Sequence, residues 1–135
     1  MVTYLLDTCI PIMVFRGNEE PIHWLSNIAA DQIKISSITI MELQAGIEYA
    51  SANVEKKKQQ LKKFLDLYET INFKTDDAIQ TAKITADLKK QGQMIGPYDL
   101  QIAGIALNYQ FTLVSYNLKE FSRVKKLNVI TCAND

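Results

Sequence analysis

The sequence predicts an α/β domain whose mainly parallel central sheet is covered by helices on both faces. Two observations carry that expectation. Short apolar runs alternate along the chain with segments of helical spacing, which is the order of strand–helix units in a parallel sheet. In addition, Asp7, Glu42, Asp99 and Glu120 each stand where a helix should begin, just past a strand-like run or a turn. In such a fold those positions fall along the carboxyl edge of the sheet, where parallel α/β domains place their sites.

Residues 2–6 read as a buried strand, and Thr8 to Phe15 as a short helix ended by Arg16-Gly17-Asn18. Ile22, Leu25 and Ile28 give helical spacing to Glu20–Ala30, with Pro21 tolerated in the first turn. A second strand is expected at 33–37. Thr39–Ala52 and Val54–Tyr68 read as two helices, the second carrying Leu61, Phe64, Leu65 and Tyr68 on one face. Ile71–Phe73 reads as a short strand, and Thr75 opens a helix reaching about Gln91. Gly92 to Gly96 is a turn-rich joint, after which Pro97 starts a helix running to Tyr109. Leu113–Ser115, a short helix over Asn117–Phe121 and a last strand at Val129-Ile130 complete the order. No internal repeat or low-complexity linker interrupts it, so one domain over 1–135 is expected.

Bulk properties narrow the function little. Fifteen basic and fifteen acidic residues cancel, so whole-chain charge does not single out a nucleic-acid binder. Lysines at 56, 57, 58, 62 and 63 suit a solvated helix face, with RNA contact as the functional alternative. Cys9 and Cys132 lack metal-ligand spacing, which argues against a zinc site or a disulfide framework. The apolar first fifteen residues contain Asp7 and break at Pro11, as a buried strand does and a signal peptide or membrane span does not. A cytoplasmic protein is expected. His23, the single histidine, lies away from every motif and reads as an exposed or packing residue. Trp24 and Tyr68 read as core.

Three of the acids also have a structural account. Thr39 to Glu42 and Asn117 to Glu120 both fit a capping box, and Asp99 in a first turn complements a helix dipole. Together they ask for more. Two carboxylates about 4 Å apart repel by roughly 4 kcal/mol at an effective dielectric of 20. Several on one edge must protonate or bind a cation. An all-oxygen donor set without His or Cys suits Mg²⁺ or Mn²⁺ rather than zinc.

Four stretches carry a resemblance. They are Leu5-Leu6-Asp7-Thr8, then Ile35 to Gly46 around Glu42, then Ile95-Gly96-Pro97-Tyr98-Asp99-Leu100 through Ala103, and Leu113 to Phe121. In order and spacing the chain resembles the PIN-domain ribonucleases, and within them the VapC-type toxins of toxin–antitoxin systems. The resemblance implies a three-layer PIN-like fold, Mg²⁺ or Mn²⁺ dependence, and endonucleolytic cleavage of RNA, commonly tRNA or ribosomal RNA, with 5′-phosphate and 3′-hydroxyl products. It also implies a cognate antitoxin partner; a homodimer is expected as well. Asp7, Glu42 and Asp99 match the family's acidic triad, with Glu120 as fourth acid and Asn117 as a neutral group beside it. All four acids are expected to ligate the metal, with Glu42 orienting or deprotonating the attacking water. Thr8 and Ser115 are expected to hydrogen-bond the acids, or else to serve as local caps and turns. Cys9 replaces a usual asparagine, and Tyr116 a usual small or polar residue. These departures, with Asn117, motivate the alternative of a catalytically impaired PIN domain serving as an RNA- or protein-binding module. A phosphoacceptor receiver-like domain fits less well, because the strand at Ile71–Phe73 ends in Lys74 rather than aspartate. Ile40, Leu43 and Ile47 suit either the core or contact with an antitoxin helix.

Overall fold

The computed structural model describes residues 1–133. Strand β1 (Tyr4–Leu6) leads into α1 (Cys9–Phe15) and α2 (Glu19–Ser26); β2 (Ile33–Ser36) is followed by α3 (Ser37–Tyr49) and α4 (Val54–Leu67). Then come β3 (Glu69–Ile71), α5 (Thr75–Gln91), α6 (Pro97–Tyr109), β4 (Thr112–Val114), α7 (Leu118–Phe121) and β5 (Val129–Ile130). The five strands form one sheet in the order β3-β2-β1-β4-β5, and every pair is parallel. The sequence expectation of a mainly parallel sheet is met in its strictest form.

Alternation along the strands builds two cores. Leu5 and Leu113 are paired in register and face Leu88, Ile102, Ile105 and Phe121 from α5, α6 and α7. Leu6, Ile35 and Val114 face the other way, against Ile10, Leu43, Leu61 and Phe64 from α1, α3 and α4. Fully burying such side chains stabilises the fold by about 1.5–3 kcal/mol each. This is how strands of three residues hold a sheet. Lys34 breaks the apolar run of β2 on the first of these faces, and its ammonium, 17% exposed, pairs with Glu69 on β3 at 3.0 Å.

Several boundaries differ from the sequence reading. The third strand lies at Glu69–Ile71, not Ile71–Phe73, because Lys34, Ile35 and Ser36 pair with Glu69, Thr70 and Ile71. The Phe73 N–H goes instead to the Ser37 hydroxyl. The helix expected to reach Ala30 stops at Ser26, where the Ser26 hydroxyl and the Asn27 amide both donate to the His23 carbonyl; a 3₁₀ turn spans Ala30–Gln32. Helix α3 begins at Ser37 rather than Thr39, since the Ser36 hydroxyl accepts the Thr39 N–H at 3.1 Å. Leu43 and Ile47 are buried, and so belong to the core. His23 is exposed, while Trp24 packs edge-on against Tyr4 and Tyr68 against Phe64. Among the described residues no helix is long and apolar enough to cross a membrane.

Candidate active site

Asp7 continues β1 by one bond, its N–H donating to the Val114 carbonyl at 2.9 Å. That places its carboxyl at the carboxyl end of the central strand, only 5% exposed. Oδ1 accepts the Thr8 N–H at 2.9 Å; Oδ2 accepts the Ser115 hydroxyl at 2.7 Å and the Cys9 thiol at 3.5 Å. Burial pushes the Asp7 pKa up, these three donors pull against the rise, and the charge of Glu120 adds to it. Burial also pushes the Cys9 thiol up to about 11. The thiol is thus protonated near neutrality and able to donate. Cys9 replaces the amide donor expected beside the first acid with a weaker donor rather than with none.

Glu42 stands at the sixth position of α3, and its Oε1 accepts the Thr8 hydroxyl at 2.7 Å. The capping box expected between Thr39 and Glu42 does not form, because Ser36 is the cap and the helix starts two residues earlier. Asp99 is the third residue of α6, behind Pro97, in the first turn as expected. Its carboxyl is pushed up to about 6, first by burial, then by the charges of Asp7, Glu120 and Glu42, then by a hydrogen bond with Glu120. Glu120 lies in α7, and its Oε2 accepts the Asn117 amide at 3.1 Å. Asn117 occupies the N-cap position without capping through its side chain, and its own N–H donates to Ser115 Oγ at 2.9 Å. The second expected capping box is therefore absent too, since neither half of the reciprocal exchange is made.

These couplings bring Asp7, Glu42, Asp99 and Glu120 to one edge. Each helper predicted from sequence touches an acid: Thr8 touches Glu42, Ser115 touches Asp7, and Asn117 touches Glu120. Sequence reasoning missed Ser36 and Thr39, buried hydroxyls that reach Glu42 through Thr8. The signal was present in the hydroxyl-rich Ser36-Ser37-Ile38-Thr39, read there only as strand end and cap. It also missed the hydrogen bond from the Tyr116 hydroxyl to Glu20, which ties α2 to the end of β4.

The donor chemistry fits a hydrated, hard cation. No salt bridge neutralises any of the four acids among the described residues. The charges of Asp7, Glu120 and Glu42 instead bear on Asp99 and oppose its ionisation. No three His, Cys, Asp or Glu side chains among the described residues are grouped closely enough to cage one ion. Mg²⁺ requires no such cage, because it keeps several waters and takes one or two carboxylates. A cleft of about 740 Å³ lined by Lys83, Asp87, Gln110, Phe111, Lys125 and Asn128 lies away from the acids, where the chain enters β4 and β5.

Fold and edge together define a PIN domain. The family model described as "PIN domain" matches residues 4–127, and the chain belongs to the PIN-domain family. Within it, the relatives are VapC ribonucleases. The chain is 34% identical to the tRNA(fMet)-specific endonuclease VapC of Salmonella typhimurium over 96% of this chain and 97% of that protein. It is 37% identical to ribonuclease VapC2 of Haemophilus influenzae over 92% and 93%. Its fold superposes with a TM-score of 0.91 on a chain of the DNA-bound VapBC crystal structure from Salmonella typhimurium, at 33% identity, covering 98% of this chain and all of that one. PIN-domain nucleases are in general dependent on divalent metals.

Proposed function

We propose that this chain is a Mg²⁺- or Mn²⁺-dependent endoribonuclease, the toxin of a toxin–antitoxin pair, cutting tRNA or ribosomal RNA. One observation carries the reading: four carboxylates from four separate elements converge on one open sheet edge with no basic side chain bonded to them. Asp7, Asp99, Glu120 and Glu42 would hold the hydrated ion, one or two of them directly and the others through its waters. When bound, it supplies Lewis-acid stabilisation of the phosphodiester and lowers the pKa of water. Asp7 is oriented by Ser115, Thr8 and Cys9, whose donors favour its charged form against the rise that burial causes. Glu42, fixed by Thr8, orients the attacking water and accepts its proton. Asn117 holds Glu120 in place. An open edge rather than a closed pocket suits a polymeric substrate.

The binding-module alternative was motivated by Cys9, Asn117 and Tyr116. Two of these donate hydrogen bonds to the acids, so they support the site. The VapBC structures among the relatives support a cognate antitoxin, and an apolar groove of about 390 Å³ between Val14, Leu25, Phe64 and Leu67 is its docking face in this reading. We place the protein in the cytoplasm as a single-domain homodimer, which gel filtration with light scattering tests.

The experiment for the activity is cleavage of a tRNA transcript by purified protein with Mg²⁺, Mn²⁺ or chelator, with sequencing of the ends. Cleavage leaving 5′-phosphates that chelator abolishes is expected. Glu42→Gln should lower the rate about 100-fold or more with stability within about 1 kcal/mol of wild type, because glutamine still accepts from Thr8. Full activity in folded Glu42→Gln would leave Glu42 without a catalytic role.

A further inference from the structure

Beneath Glu42 lies a chain of three hydroxyls, of which the cleavage chemistry above uses only Thr8. Thr8 Oγ1 is 2.7 Å from Glu42 Oε1 and 2.9 Å from Thr39 Oγ1. Ser36 Oγ lies 3.4 Å from Thr39 Oγ1 and accepts the Thr39 N–H at 3.1 Å. Ser36 and Thr39 are both fully buried, and Thr8 is 7% exposed, so water does not substitute for any partner.

The proton count sets the direction of the chain. Glu42 Oε1 accepts the Thr8 hydroxyl, so the single Thr8 hydroxyl proton is spent there. In the contact with Thr39, the Thr8 oxygen must therefore accept and the Thr39 hydroxyl must donate. The Thr39 oxygen is then left to accept from Ser36, whose own oxygen takes the helix N–H. Three hydroxyls supply three protons, all aimed toward one carboxylate. Such a chain polarises each successive donor. It also ties the side chain of Glu42 to the helix cap and to the residue that follows Asp7.

We infer that Thr39, through Thr8, is a positioning residue for Glu42, and that its hydroxyl rather than its shape sets the carboxylate's orientation. Thr39 touches neither substrate nor cation, so its removal should act on turnover rather than on RNA binding. Thr39→Val preserves volume and branching while deleting the donor. Deleting an outer hydrogen-bond partner of a metal-site group costs roughly ten- to a hundred-fold in activity or metal affinity. The inference rests on the nuclease reading above for its kinetic arm alone.

The test compares wild type, Thr39→Ser, Thr39→Val and Thr39→Val combined with Glu42→Gln. Expected are a kcat about ten-fold lower in Thr39→Val with KM within about two-fold, and Thr39→Ser within about three-fold of wild type. In the Glu42→Gln background, Thr39→Val should add no further loss. A wild-type kcat in folded Thr39→Val would overturn the inference. So would a Thr39→Ser as poor as Thr39→Val, or an undiminished Thr39→Val loss in the Glu42→Gln background. Thr39→Ala supplies the hydroxyl-free comparison if the valine protein does not fold. A second readout needs no turnover. In metal-free protein the Thr8 and Thr39 hydroxyl protons should give slowly exchanging NMR signals, and Thr39→Val should remove one and shift the other. Absence of both signals from wild type would overturn the hydroxyl chain itself. Wild type that cuts no RNA but shows them would sink only the nuclease reading.

Discussion

Asp99 has a pKa of about 6 against 3.8 for the ordinary group, because burial and three neighbouring carboxylates oppose its charge. Between these values the folded protein binds a proton that the unfolded chain releases, so stability is greatest below about pH 4 and falls as pH rises through 6. Asp99 is partly exposed, so solvent screening reduces the effect to the order of 1 kcal/mol. Melting in chelator should therefore show a decline from pH 4 to 6.5 that Asp99→Asn flattens and that added Mg²⁺ reverses in wild type. Equal slopes in both proteins would remove Asp99 as the source. Glu120 offers a separate prediction. If it completes the charge set, Glu120→Gln should weaken Mn²⁺ binding about ten-fold by calorimetry, whereas Asn117→Asp should bind at least as well at saturating Mg²⁺. Normal RNA cleavage by Glu120→Gln would reduce the working site to Asp7, Glu42 and Asp99.

At the scale of elements, α5 and α6 meet closely at Gly104, which faces Thr81 and the Asp77 carbonyl. A Cβ built on Gly104 would overlap Thr81 Oγ1 and lie 3.1 Å from the Asp77 oxygen. Asp77 is fully buried there, accepting the Lys74 N–H and the Asn108 amide. Gly104→Ala should cost about 1–3 kcal/mol in urea unfolding, with partial recovery on adding Thr81→Ala. An unchanged midpoint would mean that the two helices part easily. Elements whose signals are local were readable in the chain itself, such as α5 opening at Thr75 and α6 starting on Pro97. Of the boundaries that moved, that of β3 was set by a partner distant in sequence, whereas those of α2 and α3 turned on side-chain hydrogen bonds within four residues. β3 was displaced by pairing with β2, and α3 was extended by a cap on the last residue of the strand before it. The same divide runs through the site. Carboxylates at element ends announce themselves, but that the Thr8 hydroxyl reaches Glu42 while only its N–H serves the adjacent Asp7 depends on how α3 lies against β1.

For the whole molecule, expression without its antitoxin should arrest growth, and Asp99→Asn at equal abundance should relieve the arrest. Arrest by the variant would separate toxicity from the acidic edge. The sheet topology bears on when that toxicity begins. β1 is the first strand in the chain and the middle strand of the sheet; one of its neighbours, β4, follows more than a hundred positions later, and Asp7 meets its Ser115 donor across 108 residues. Parallel pairings at that separation form late, after most of the chain has left the ribosome. A nascent chain that has not yet reached α6 thus carries Asp7 and Glu42 but neither Asp99 nor Glu120, and its acidic edge is incomplete. The order of strands acts as a delay, in which the acidic edge is assembled only after synthesis has passed β4 and α7.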